Sequence, residues 1–201
     1  MKDIICSSIS IDDIKIDARE LALRLKAPES FSHDTVIRCI EAVKASCMPR
    51  YCCLRVPVSL MGSDTVVFEF ASFKSANLYK NLAGCDYAWL MAVTLGVDTD
   101  RLINRLSITS KAESFMADAA ASAAAEAVID TVNNILKQQY DLRPRFSPGY
   151  GDFELSAQRD ILMALNADKL IGIKLGDNLI MTPRKSITAV CGIQKEGKLH
   201  E

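Results

Sequence analysis

Apolar residues recur along this chain with two different periods, and each change of period marks an element. Ser10 precedes Asp13 by three, a variant of the capping box, and Ile14, Leu21 and Leu25 follow at roughly helical spacing until Pro28. Residues 1–30 are therefore expected to form a helical amino-terminal segment. Val36, Ile40 and Val43 then make a stripe at i, i+4 and i+7, which predicts a helix over 32–48 stopped by Pro49. Within 51–70 the period falls to two. Cys52, Leu54, Val56 and Val58 alternate with Cys53, Arg55 and Pro57, and Val66, Phe68 and Phe70 alternate with Val67 and Glu69. Both runs read as half-buried strands joined by a turn at Met61-Gly62-Ser63-Asp64, with Pro57 at a sheet edge or a strand end.

Leu78 and Leu82 predict a short helix over 72–83, with Gly84 as its left-handed stop. The run from Tyr87 to Leu95, bounded by Gly84 and Gly96, is continuously apolar and predicts a central strand buried on both faces. Its Trp89 is expected to be a core anchor. Asp98 or Thr99 is placed to cap a short helix through Arg101, Leu102 and Leu106. Ser110 and Glu113 form an S-x-x-E box that opens a helix from about Lys111 to Tyr140, roughly 45 Å long. Its middle, Ala119 to Ala127, is unusually small, so another element or a ligand can approach it closely. Glu126 sits in that run, where burial without a partner would be costly, so it either faces water or has a cationic partner. Asp130 lies one turn later on the same face.

Arg145-Phe146-Ser147-Pro148-Gly149-Tyr150 follows. Pro148-Gly149 predicts a tight turn, and the arginine beside it offers a bidentate fork to a carboxylate or phosphate. These six residues fit an ordinary connecting turn as well as a binding corner. Asp152 is placed to cap a helix through Leu155, Ile161, Leu162 and Leu165. Residues 170–193 are expected as short strands, and the polar tail 194–201 as flexible.

Together these elements predict an α+β fold, a single domain over 1–201 with an antiparallel or mixed sheet packed against long helices. The 201 residues are 49% hydrophobic, enough for a real core, and the net charge of −1 carries no basic stripe, which argues against nucleic acid and against a polybasic membrane contact. No apolar run reaches the length of a membrane span and no secretory signal is visible, so a cytoplasmic protein is expected. The seven cysteines, Cys6, Cys39, Cys47, Cys52, Cys53, Cys85 and Cys191, lie in apolar segments without a C-x-x-C pair. They are expected as reduced thiols, with no thiolate metal site.

The familiar chemical motifs are absent. There is no dinucleotide or P-loop glycine motif and no G-x-S-x-G elbow. The two histidines, His33 and His200, do not make a triad or a metal cage; His33 is expected to be structural or solvated. No catalytic side chain is assigned, and the expected role is binding and positioning, with the chemistry carried by a ligand or partner.

The carboxy-terminal third resembles the activation domain of vitamin B12-dependent methionine synthase. Arg145 to Gly149-Tyr150 is similar to its R-x-x-x-G-Y signature, Ile171-Gly172-Ile173-Lys174-Leu175 to its I-G-x-x-L segment, and Pro183-Arg184-Lys185-Ser186-Ile187 to its P-x-x-S-[IV] strand. The order and spacing agree. The likeness extends upstream through Ala125-Glu126-Ala127 and the segment from Asn81 to Gly96, which looks like the short, free-standing members, and covers about residues 30–193. Phe146 stands where fuller members often have proline.

The resemblance implies S-adenosylmethionine binding. Arg145 would pair with the ligand's carboxylate, backbone groups of Ser147 and Gly149 would meet its amino-acid or adenosine part, and Tyr150 would close the site. Glu126 would face the ammonium or sulfonium. It also implies a role in reductive methylation of cobalamin carried by a separate chain, a corrinoid-binding methionine synthase or methyltransferase subunit, with a flavodoxin-like reductant as a further partner. The alternative is a non-catalytic binding or interaction module serving another corrinoid methyltransferase, and a third reading is a structural domain in which Glu126 forms an internal salt bridge. Fuller members continue beyond the last strand and add another aromatic to the ligand, so a partner is expected to complete the site or affinity to be low.

Overall fold

The computed structural model describes residues 4–16, 21 and 33–194. A four-stranded antiparallel sheet runs in the order β1 (Ile4–Ser8), β2 (Arg50–Pro57), β6 (Cys85–Thr94), β9 (Ser186–Gln194). The ten-residue β6 is central, paired with β2 from Arg50↔Thr94 to Pro57↔Tyr87 and with β9 from Cys85↔Gln194 to Thr94↔Ser186. Successive side chains of a strand point to opposite faces. Trp89, Met91 and Val93 therefore enter one apolar core, while Ala88, Leu90 and Ala92 enter a second. Each sheet face is covered, which is why β6 reads as an unbroken apolar run.

The first core is closed by α1 (His33–Ser46), α3 (Val97–Thr109) and α4 (Lys111–Lys137). Val36, Ile40 and Val43 form the buried stripe of α1, and Trp89 is buried edge-on to Tyr140, with ring centroids 5.6 Å apart. On α4, Ala117, Ala120, Ala121, Ala124 and Ala125 are buried and recur at helical spacing. Their small size lets the helix axis lie close to the sheet and to α1 and α3. Ser110 caps α4 by accepting a hydrogen bond from the Glu113 N–H at 3.3 Å. The helix ends at Lys137 rather than Tyr140.

The second core is closed by α2 (Ala76–Asn81), α5 (Gln158–Ala164), α6 (Ala167–Ile171) and a three-stranded sheet of β3 (Ser59–Met61), β4 (Thr65–Val67) and β5 (Ser72–Lys74). A two-stranded pair, β7 (Lys174–Leu175) and β8 (Met181–Thr182), completes the elements. The fold is α+β with antiparallel sheets packed against helices, as the periodicity predicts.

Several elements differ from expectation. The turn at Gly62 joins β3 to β4, whereas β2 belongs to the large sheet, where it is an interior strand that ends at Pro57. Phe68 and Phe70 leave the strand after Val67 and stack on each other at 5.4 Å, while Phe68 N–H donates to Ala71 O at 2.9 Å in the turn to β5. Within the amino-terminal segment expected to be helical, Ile4–Ser8 is instead strand β1, paired with β2, and Ser10 caps only a 3-10 turn, Ile11–Asp13, accepting from Asp12 N–H at 3.4 Å. Ile14 and Leu21 are nonetheless buried in the first core. Helix α3 begins after Gly96 without a side-chain cap; Thr99 is buried inside it and donates to the Ser46 carbonyl at 3.4 Å. Leu170 and Ile171 close the short helix α6 and are not in a strand. Leu25, Pro28, the His33 side chain and the tail beyond Gln194 lie outside the described residues.

Ala124 is fully buried where α4 meets the first core. Ala124→Leu is expected to lower unfolding stability by about 1–3 kcal/mol through overpacking, read as a reduced urea midpoint.

Candidate functional site

The site is built on the outer edge of β9. Residues 141–146 run antiparallel beside that strand: Arg143 N–H donates to Gly192 O and Phe146 N–H to Val190 O, each at 2.8 Å, and Val190 N–H returns a 2.8 Å bond to Phe146 O. Gln194 N–H reaches Asp141 O at 2.8 Å. This pairing fixes which way each side chain turns. Phe146 packs into the second core, stacked 6.1 Å from Phe153. Its neighbour Arg145 turns to the other side, toward α4.

The chain then reverses. Gly149 has φ +93° and donates its N–H to Phe153 O at 2.7 Å, while Tyr150 N–H donates to Ser147 O at 3.2 Å. Gly151 has φ +56°, and a Cβ there would lie 2.5 Å from Asn77 Nδ2. Asp152 does not cap the helix that follows it. Its carboxylate accepts from the Ser75 hydroxyl at 2.5 Å, from Ala76 N–H at 2.7 Å and from Asn77 N–H at 3.1 Å. It therefore caps α2, using the unpaired N–H groups of that helix's first turn. The bond from Ser75, with those from Asn77 and Ala76, holds its carboxyl below the ordinary value of 3.8. The turn is thus tied to α2 on one side and, through the buried Phe153, to the second core on the other.

Arg145 meets two acids of α4. Its Nη2 lies 2.8 Å from Asp130 Oδ1 and 3.8 Å from Glu126 Oε2. The arginine side chain is 21% exposed, the glutamate 57% and the aspartate 62%. Arg145 Nη1 is buried and has no protein hydrogen-bond partner. An unpaired buried donor is costly, so the protein leaves the hydrogen-bonding demand of Nη1 unmet.

These residues border a cleft of about 560 Å³. Glu126, Arg145, Ser147, Pro148 and Tyr150 line it, with Tyr150 66% exposed. Gly149 does not line it; its N–H is already used inside the turn. Four of the five residues expected at the site are thus brought together, and the fifth shapes the turn that carries them. The opposite wall comes from residues that were not among those expected at the site: Gln158, Met181 and the β9 residues Ser186, Ile187 and Thr188. Gln158 is buried and donates its Nε2–H to Leu179 O at 2.5 Å. Nothing in the local pattern marks Gln158, which opens α5 beside Arg159 and Asp160. Ser186 and Ile187 stood inside the P-x-x-S-[IV] motif.

Below this wall Lys185 anchors β9 to α4, its Nζ 2.8 Å from Asp118 Oδ1 and 2.9 Å from Ser122 Oγ. Burial pushes the Cys191 thiol up to about 11 and the Cys52 thiol up to about 12, so neither is a nucleophile near neutral pH. A second cleft of about 490 Å³ lies between α5, α6 and β7, bordered by Arg159, Met163, Asn166 and Lys174. No helix among the described residues is long and apolar enough to cross a membrane.

No family model matches the sequence, and no curated protein sequence matches it. Among solved structures, the crystal structure of the MetH reactivation domain bound to AdoHcy matches 99% of this chain and 81% of its own, with TM-score 0.68 at 15% identity. The chain has the fold of that reactivation domain. That domain was solved with AdoHcy bound.

Asp152's folded pKa lies below its unfolded value, so its contribution to stability is present above that value and is lost as pH falls through the folded one. Asp152→Asn is therefore expected to lower the urea midpoint at about pH 7, with the gap to wild type closing as pH falls below about 4.

Proposed function

We propose that this chain binds S-adenosylmethionine in the cleft beside Arg145 and supports reductive methylation of cobalamin held on a separate corrinoid-dependent methionine synthase chain. The observation that carries this reading is that Arg145, whose buried Nη1 has no protein partner, lines a cleft that Glu126 also lines. The ligand has one carboxylate and two positive centres, so it needs a fixed cation and an acid near one another. Nη1 takes the carboxylate, Glu126 faces the ammonium or sulfonium, and Tyr150 closes over the mouth. Ser147 offers its hydroxyl and backbone beside the turn. The cleft volume lies in the range of small-molecule sites, about 300–1,000 Å³. The AdoHcy carried by the solved reactivation domain is the demethylated form of the same ligand.

No side-chain nucleophile is required. The methyl group moves from sulfonium to a cobalt brought by the partner, after an electron donor such as a flavodoxin-like protein has reduced the metal. The chain's task is to hold the donor in line, and positioning alone is a large effect. A cytoplasmic setting with reduced cysteines belongs to the same reading.

The ion pair between Arg145 and Asp130 favours a second reading, in which the same residues serve only to fasten α4 to the β9 edge of a module without a methyl donor. Calorimetric titration with S-adenosylmethionine separates the two. The first reading expects saturable 1:1 binding, weakened about ten- to a hundredfold by Arg145→Ala, because a charge-assisted hydrogen bond contributes about 1.5–3 kcal/mol. Lack of binding at millimolar ligand removes it, and equal binding by the variant removes the site assignment. A coupled assay of cob(II)alamin methylation, with a corrinoid partner and a reductant, tests the reactivation step itself.

A further inference from the structure

We propose that Asp130 is a positioning residue: it holds Arg145 by Nη2 so that Nη1 stays presented to the ligand's carboxylate. The inference rests on the S-adenosylmethionine reading of the cleft and adds to it a residue that does not itself line the cleft.

The two acids of α4 are not equivalent. Asp130 Oδ1 is 2.8 Å from Nη2, a close ion-pair contact, whereas Glu126 Oε2 is 3.8 Å away. Glu126 borders the cleft and Asp130 does not. One helical turn thus divides the labour. Glu126 remains available to a cation in the cleft, and Asp130 is committed to the arginine.

The guanidinium is planar, so fixing one Nη fixes the direction of the other. That second nitrogen, Nη1, is the buried donor without a protein partner. Without Asp130 the arginine regains rotamer freedom that ligand binding must remove again. Asp130 is 62% exposed, so water screens its charge, and its contribution is the close contact itself rather than a long-range field. A neutral side chain of the same shape therefore suffices, because asparagine keeps an acceptor oxygen at this position.

Two measurements on the intact chain test this. Arginine-selective nitrogen-15 NMR reads restricted rotation of the Arg145 guanidinium, assigned through Arg145→Lys. The expected result is restriction in wild type and Asp130→Asn, and release in Asp130→Ala. Calorimetry then compares S-adenosylmethionine with S-adenosylhomocysteine, which shares the carboxylate but lacks the sulfonium. Asp130→Ala is expected to weaken both by about tenfold, and Asp130→Asn to stay within about twofold of wild type.

Unchanged or tighter binding by Asp130→Ala would make Asp130 a competitor of the ligand and overturn the proposal. So would a loss confined to the sulfonium ligand, an equal loss in Asp130→Asn, or free rotation in wild type. Restricted rotation with no binding of either ligand supports the clamp and sinks the S-adenosylmethionine reading instead.

Discussion

The pairing of residues 141–146 with the outer edge of β9 is the constraint on which the candidate site depends. It is backbone hydrogen bonding, so it fixes orientation regardless of side-chain chemistry. Once Phe146 is turned into the second core, Arg145 must turn to the opposite side, where α4 passes. The reversal at Gly149 and Gly151 follows directly, and Asp152 ties its far end to α2. A charge, a turn and an aromatic hydroxyl that are adjacent in sequence are thereby spread along one wall of a cleft.

The opposite requirement falls on α4. Its acids reach Arg145 only because the helix lies close to the sheet, and it lies close because its buried face is alanine. Larger side chains there would increase apolar burial but push Glu126 and Asp130 away from the β9 edge. The Lys185 contact with Asp118 and Ser122 holds the same helix to the start of β9. Packing and electrostatics thus act on one distance, that between α4 and the strand edge.

Much of this was legible in the sequence because it is local. The stripe Val36-Ile40-Val43 gave α1, the apolar run through Trp89 gave the doubly covered β6, and the small-residue run gave a buried α4. What was not legible depends on partners far apart in the chain. Alternation in 52–58 identifies a strand but not its neighbour, so β2 was matched to the wrong hairpin; its true partners are β1 and β6. Asp152 reads as the cap of the helix beside it, yet it caps one some 75 residues earlier. Leu170 and Ile171 suit a strand as well as a helix, and left-handed Asn166 and Gly172 on either side decide the outcome. The meeting of Arg145 with Asp130 comes from a chain reversal that no spacing rule describes.

The central claim is that the cleft at the β9 edge is where the chain holds a charged adenosyl amino acid. Amide shift mapping during titration with S-adenosylmethionine tests it most directly, because two clefts of similar size compete. The account predicts perturbations centred on Glu126, Arg145, Ser147, Tyr150 and Thr188. Perturbations centred on Met163, Asn166 and Lys174, or none at millimolar ligand, would contradict it.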